Sequence, residues 1–329
     1  AIGGVRMAAD VTTEECFRLA RAMPLKNAAA GLTHGGGKSV IMADPKQNPE
    51  RKESLVRAFA KAIEPIGDYI PGPDMGTNET AMAWVRDEIG RAVGLPPELG
   101  GIPLDDIGAT GYGVTIAAEA AENAGLIRLR EARIAIQGFG SVGKHAARFL
   151  AERGAVLIAA SDSKGTLLNP DGIDVAKLIS LKKEGGGVCD YDKGKKDNVE
   201  AIVDVACDIW IPAARPDVIR ADNVARLDTQ LVIEGANIPV TSEAEAVLHD
   251  RGVPVIPDFI ANAGGVIAGA VEYRGGTERQ AFDMIAEKIE ANTKKVIEGS
   301  RDRGITQRQA AEDMARRRLQ RAMSYQRWG

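Results

Sequence analysis

The run Ile134-Ala135-Ile136-Gln137-Gly138-Phe139-Gly140-Ser141-Val142-Gly143 leads four residues of strand composition into a glycine turn, and Ser141 to Glu152 continues at helical spacing. A strand feeding GxGxxG at the start of a helix is the arrangement that cradles a dinucleotide pyrophosphate. Gly138 permits the tight turn, Gly140 brings bare backbone to the phosphates, and Gly143 lets the helix pack close to the strand. The helix N-terminus adds free N–H groups and the positive end of its dipole. Gly138, Phe139, Gly140, Ser141, Val142 and Gly143 are therefore the expected cofactor cradle. The alternative is a glycine turn used only for close packing.

The next strand-like run, Ala155 to Ala160, leads to Asp162, 19 residues beyond Gly143. A carboxylate there accepts hydrogen bonds from the adenosine ribose and repels a 2′-phosphate, which favours NAD. Ser163 and Lys164 follow at once and would suit that phosphate, so NADP stays possible. Further strand patterns at Ile209-Trp210-Ile211, Leu231-Val232-Ile233 and Val255-Ile256 alternate with helical ones, which argues for a parallel sheet covered by helices. The stretch Lys182 to Lys196, rich in Gly, Lys and Asp, reads as a solvated loop.

Upstream, helical patterns over Thr12–Ala30, Pro49–Ile66 and Asn78–Val93 alternate with short strands at Ser39–Met42 and Tyr69-Ile70. The Gly/Pro/Asp-rich stretch Gly100–Gly108 reads as a loop and a domain edge. The fold expected is α/β in two domains. An N-terminal α/β substrate domain covers 1–112, a Rossmann-type doubly wound parallel-sheet domain covers 113–276, and C-terminal helices over 277–329 pack back towards the first. A length of 329 residues with 44% hydrophobic side chains suits two domains.

A near balance of 42 basic and 46 acidic residues offers no field for nucleic acid or an anionic membrane. Cys16, Cys189 and Cys207 lie far apart, so no disulfide framework or metal site is indicated and a reducing cytoplasm fits. No apolar run spans a bilayer and no signal peptide is seen. The chain opens on Ala1 within a strand-like run, so residues ahead of it are expected to be missing. Small molecules are the expected partners.

Two lysines and an acid stand out in the first domain. Lys26 ends an apolar helical stripe, Lys38 follows Gly35-Gly36-Gly37, and Asp74 lies on the turn Pro73-Asp74-Met75-Gly76. Glycines beside a lysine allow close ligand approach. A desolvated lysine, or one near another cation, is tuned towards general-base work. Each of the three, taken alone, is more often a solvated surface charge.

Five segments give the set its context: Leu19 to Met42 (LARAMPLKNAAAGLTHGGGKSVIM), Gly72 to Glu79 (GPDMGTNE), Ala109 to Val114 (ATGYGV), Ile136 to Gly143 (IQGFGSVG) and Pro257 to Val266 (PDFIANAGGV). In order and spacing they resemble the glutamate/leucine/phenylalanine/valine dehydrogenase family across nearly the whole chain. The resemblance implies that Lys26 holds the substrate α-carboxylate, Lys38 is the catalytic base, and Asp74 exchanges protons with the reacting amino group. It also implies that Thr110 and Asn262 lie near the nicotinamide, that Ala213 and Asn237 are cofactor contacts, and that Ile2, Gly3, Asn262 and Gly269 border the substrate. A homo-oligomer is expected.

The reaction implied is reversible oxidative deamination of an L-amino acid to the 2-oxo acid and ammonia. Glutamate-type members resemble this chain in SDSKGT (Ser161 to Thr166), but carry a lysine where Ile2 stands and a serine where Gly269 stands. Burying a glutamate carboxylate against those positions is costly, whereas an apolar side chain gains there. The expectation is therefore an apolar substrate of the leucine, valine or phenylalanine class, with glutamate as the alternative. A non-catalytic dinucleotide-binding module is the reading from another class.

Overall fold

Strand β1 (Ile2–Ala8) lies between two parallel neighbours, β2 (Ser39–Met42) and β3 (Ile70–Pro73), in a sheet of order β2-β1-β3. Parallel pairing needs crossovers, supplied by helices α1 (Thr13–Ala29) and α2 (Pro49–Ile63). Thr12 caps α1, its hydroxyl accepting from the Glu15 N–H at 3.1 Å, and Asn48 caps α2 ahead of Pro49. Helix α3 (Glu79–Ile89) starts behind its cap Asn78 and stops four residues before the expected Val93. Gly90, at φ 73°, turns the chain into the left-handed conformation there. Val5, Met7, Val56, Ala60, Ala81, Met82 and Val85 form the core beneath this sheet. Within the expected loop 100–108 a short helix α4 (Leu104–Ile107) forms. The computed structural model describes residues 1–325.

The second sheet follows helix α5 (Ala109–Asn123), which the sequence left without an element. Its strands are β4 (Arg133–Gln137), β5 (Val156–Asp162), β6 (Gly165–Leu168), β7 (Lys195–Asp197), β8 (Cys207–Pro212), β9 (Thr229–Ile233) and β10 (Val255–Ile256), ordered β10-β9-β8-β4-β5-β6-β7. Helix α6 (Ser141–Glu152) crosses from β4 to β5, α7 (Val175–Lys183) lies between β6 and β7, and α8 (Ser242–Asp250) crosses from β9 to β10. Five strands are parallel, as expected, whereas β6 and β7 are antiparallel. The link Ser163-Lys164 is too short for a crossover, so β6 folds back on β5 as a hairpin. Strand order reverses beside β4, a switch point whose carboxyl end is where such sheets take ligands.

Among the described residues, four helices follow: α9 (Asp258–Ala261), α10 (Gly264–Tyr273), α11 (Glu278–Arg303) and α12 (Gln307–Met323). Contacts group 1–107, 265–285 and the residues from Met314 into one unit, and 108–264 with 286–313 into the other. Both units are thus discontinuous in sequence, where the sequence reading has three continuous segments. The stretch Lys182–Lys196 corrects the solvated-loop reading. It begins in α7, buries Val188 and Tyr191, and sends Lys182 into an ion pair. No helix among the described residues is long and apolar enough to cross a membrane.

Candidate active site

In the first unit the glycine loop 35–37 runs along the start of β1. Ile2 N–H donates to Gly35 O at 3.0 Å and Gly37 N–H to Ile2 O at 3.3 Å. Buried Asn27, next to Lys26 in the last turns of α1, donates to Gly35 O at 2.7 Å and to Ile2 O at 3.4 Å. That single amide ties helix, strand and loop together, so Lys26 and Lys38 are carried by one assembly. Lys26 itself is half-buried.

Lys38 and Asp74 meet directly. Lys38 Nζ lies 2.5 Å from Asp74 Oδ2, with side chains only 5% and 18% exposed. Arg6, which sequence reasoning missed, approaches the same oxygen at 3.2 Å and also pairs with Glu15 at 2.6 Å. Burial pushes the Asp74 carboxyl up, but the Lys38 ammonium and the Arg6 guanidinium outweigh it and hold it at about 2. The signal for Arg6 was available: on a strand, residues 4 and 6 share a face, and Gly4 is the residue that leaves room for the pair. A Cβ on Gly4 would lie 2.8 Å from Asp74 Cβ and 3.1 Å from Lys38 Nζ. Gly3, the expected contact, instead packs against the backbone of Gly37, and its carbonyl accepts from the Tyr69 hydroxyl at 3.0 Å.

Ile2 is buried in an apolar cluster with Ile70, Val93 and Ala270. Gly269 is buried in α10, where an added Cβ would stand 3.3 Å from Val93 Cγ2. These two expected substrate contacts therefore share one apolar patch, and its packing alone accounts for an isoleucine at position 2.

In the second unit the expected cradle is built at the carboxyl ends of β4, β5, β8 and β9. Gly138 turns at φ 94°, and the N–H groups of Gly138 and Phe139 donate to Ser161 O at 3.0 and 2.8 Å. Phe139 is buried, so its side chain packs inward and braces the turn. Gly143 packs on Gly138 and Ile136, while a Cβ at Gly140 would project into open space beside the first turn of α6. That bare position, with the N–H groups of Ser141 and Val142 behind it, fits a pyrophosphate. Ala213 N–H donates to Gln137 O at 2.7 Å, which sets Ala213 beside the turn. Thr110, in the first turn of α5, adjoins Gly264.

Asn262 is buried and its Nδ2 faces Gly235 O, Ala236 O and Asn237 Oδ1 at 3.2, 3.1 and 3.1 Å. Its Oδ1 is buried with no hydrogen-bond partner among the described residues. An orphaned acceptor of this kind fits an amide or ammonium donor supplied by a ligand.

Asp162 does not stand open to a ribose. Its Oδ2 accepts from Lys182 Nζ at 2.7 Å and Val188 N–H at 2.9 Å, and its Oδ1 accepts from Lys164 N–H at 2.9 Å. Burial raises this carboxyl, and the bond from Lys182 overrides it and lowers it. Ser163 and the Lys164 side chain are exposed on the hairpin beside it. Nothing in sequence spacing pairs Lys182 with Asp162.

A model of the glutamate/leucine/phenylalanine/valine dehydrogenases matches residues 100–327, and that family's dimerisation domain matches residues 1–91. The chain is 40% identical to the NADP-specific glutamate dehydrogenase of Saccharolobus shibatae, over 82% of this chain and 67% of that one. It is 37% identical to the NAD-specific glutamate dehydrogenase A of Halobacterium salinarum, over 96% and 77%. Among solved structures, the leucine-bound hetero-hexameric glutamate dehydrogenase of Thermus thermophilus superposes with a TM-score of 0.90 at 29% identity, covering 98% of this chain and 80% of that one.

Proposed function

The chain belongs to the glutamate/leucine/phenylalanine/valine dehydrogenase family, and from that premise we propose that its substrate is L-glutamate. It is an NAD(P)-dependent amino acid dehydrogenase, an oxidoreductase acting on CH–NH2. Glutamate, the alternative to the expected apolar substrate, is the better supported of the two. That support rests on the names of relatives 37–40% identical to this chain. The argument from Ile2 loses its force because Ile2 sits in a packed apolar cluster of its own unit.

The overall reaction takes L-glutamate, water and NAD(P)⁺ to 2-oxoglutarate, ammonium, NAD(P)H and a proton. The nicotinamide, when bound, accepts the hydride that leaves Cα. Lys26 pairs with the α-carboxylate and fixes Cα, which lowers the entropic part of the barrier. Lys38 takes the proton of the water that attacks the imine carbon, and Asp74 carries protons to and from the nitrogen. The observation that supports these roles is the largely shielded Lys38–Asp74 pair under Gly4. The two charges hold Asp74 ionised; loss of the Lys38 charge would leave it facing Arg6 alone and so ease its proton uptake.

In the second unit Gly138 to Gly143 hold the pyrophosphate. Ala213, Asn237, Asn262 and Thr110 would line the nicotinamide end, and the exposed Ser163 and Lys164, beside the engaged Asp162, would meet the adenosine ribose. A homo-oligomer is part of the proposal, supported by the dimerisation-domain match, as is a cytoplasmic site, supported by three free cysteines.

Steady-state rates of deamination on glutamate, leucine, valine and phenylalanine test the substrate. The highest kcat/KM is expected on glutamate. A higher value on any of the other three would favour a second reading, an apolar amino acid over the patch of Ile2, Val93 and Ala270 beside Gly269.

A further inference from the structure

Residues 234–238 leave β9 and carry Asn237, and they end on an improbable conformation. Ile238 has φ 46°, in the left-handed region, although it is β-branched and precedes Pro239. Both features disfavour that backbone, so the surroundings must impose it. The Ile238 N–H donates to Asp258 Oδ2 at 2.9 Å, and Asp217 N–H donates to Ile238 O at 3.0 Å.

Asp258 is itself held by Arg308. The guanidinium gives NH1 to Asp258 Oδ1 at 3.1 Å, NH2 to Glu234 Oε2 at 2.6 Å and Nε to Glu245 Oε2 at 2.9 Å. The Asp258 N–H closes the ring on Glu234 Oε2 at 2.7 Å. The three carboxylates come from the end of β9, from α8 and from the start of α9, and their side chains are 0%, 5% and 4% exposed. One planar fork thus fixes both ends of the stretch whose carbonyls and Asn237 receive the Asn262 amide.

We propose that Arg308 is a positioning residue for cofactor binding: through Glu234 and Asp258 it holds the strained segment 234–238, and so orients the Asn237–Asn262 amide pair. This rests on the cofactor roles proposed above for those two asparagines. Arg308 touches no ligand in this scheme.

The test is equilibrium binding of NADH and of NADPH to the full chain, followed by nucleotide fluorescence, alongside thermal unfolding. Arg308→Lys keeps the buried charge and loses the fork, and the Kd of the preferred nucleotide is expected to rise about tenfold. Ile238→Gly leaves every charge in place and removes the strain. It is expected to unfold at the wild-type temperature or above, yet to bind the nucleotide several times more weakly. Weaker binding without lost stability is what a merely structural role would not give. Wild-type affinity in both variants would overturn the proposal, as would an Ile238→Gly chain that is less stable and binds normally. If the wild-type chain bound neither nucleotide, the dinucleotide reading would fall and this inference with it.

Discussion

Each unit buries a carboxylate against an arginine, and the two carboxylates end in opposite states. Asp74 faces two cations, Lys38 and Arg6, and is held at about 2. Glu234 shares the single cation Arg308 with Glu245 and Asp258. There burial pushes the Glu234 carboxyl up, Arg308 opposes this only in part, and the neighbouring acids add to it, leaving it at about 8. Burial acts the same way on both, so the count of opposite charges decides. An acid that faces two cations stays ionised, whereas one of three acids sharing a single cation stores a proton.

The largest effect comes from unbalancing the first cluster. Lys38→Ala is expected to lower kcat by about 10²–10⁴-fold while NAD(P)H binding to the second unit stays near wild type; unchanged turnover would remove Lys38 as the base. Next is the single cation of the second cluster. Replacing Arg308 with Met leaves the acids buried without a partner and is expected to cost about 3–5 kcal/mol, read from urea unfolding.

A third effect separates the clusters by pH. Glu234 is raised in the folded state from 4.5 to about 8, so the folded chain binds the extra proton. Its contribution is complete below about pH 4.5 and is lost as pH rises to about 8, at no more than about 1.4 kcal/mol per pH unit. Asp74 is lowered from 3.8 to about 2, so its contribution is complete above about pH 4 and is lost as pH falls towards 2. Unfolding free energy across pH 5–8 should therefore flatten in Glu234→Gln, and an unaltered slope would show that another group carries it. The smallest effect concerns Asp162, which has one cation and two backbone donors. Lys182→Met is expected to move the ratio of kcat/KM towards NAD by about two- to fivefold, as befits a part-exposed pair.

What was legible in the sequence is local. The strand, glycine turn and helix at 134–152, the Thr12 cap and the lysine after three glycines each declare themselves within a few residues. Helix α5 did not, because Gly111 and Gly113 argue against a helix. In the fold Gly111 lies against α6 at His145 and Ala146, where a larger side chain would not fit. The hairpin at Ser163-Lys164 hid because a parallel continuation was the default after β5. Arg308 stands 74 residues from Glu234, and Lys182 stands 20 from Asp162, so no spacing rule joins them. Ile2 shows the same: its apolar neighbours Ile70, Val93 and Ala270 come from distant parts of the chain, which no local pattern announces.

The interleaving of the two units along the chain carries a consequence for synthesis. The first unit opens with residue 1 but acquires 265–285 and the residues from Met314 only after 108–264 have been made. Of the two units, the one begun earlier in this sequence is the last to be finished. Until Ala270 arrives, Ile2, Ile70 and Val93 lack part of their apolar cover, so nascent chains stalled before that point should be the ones that engage chaperones most.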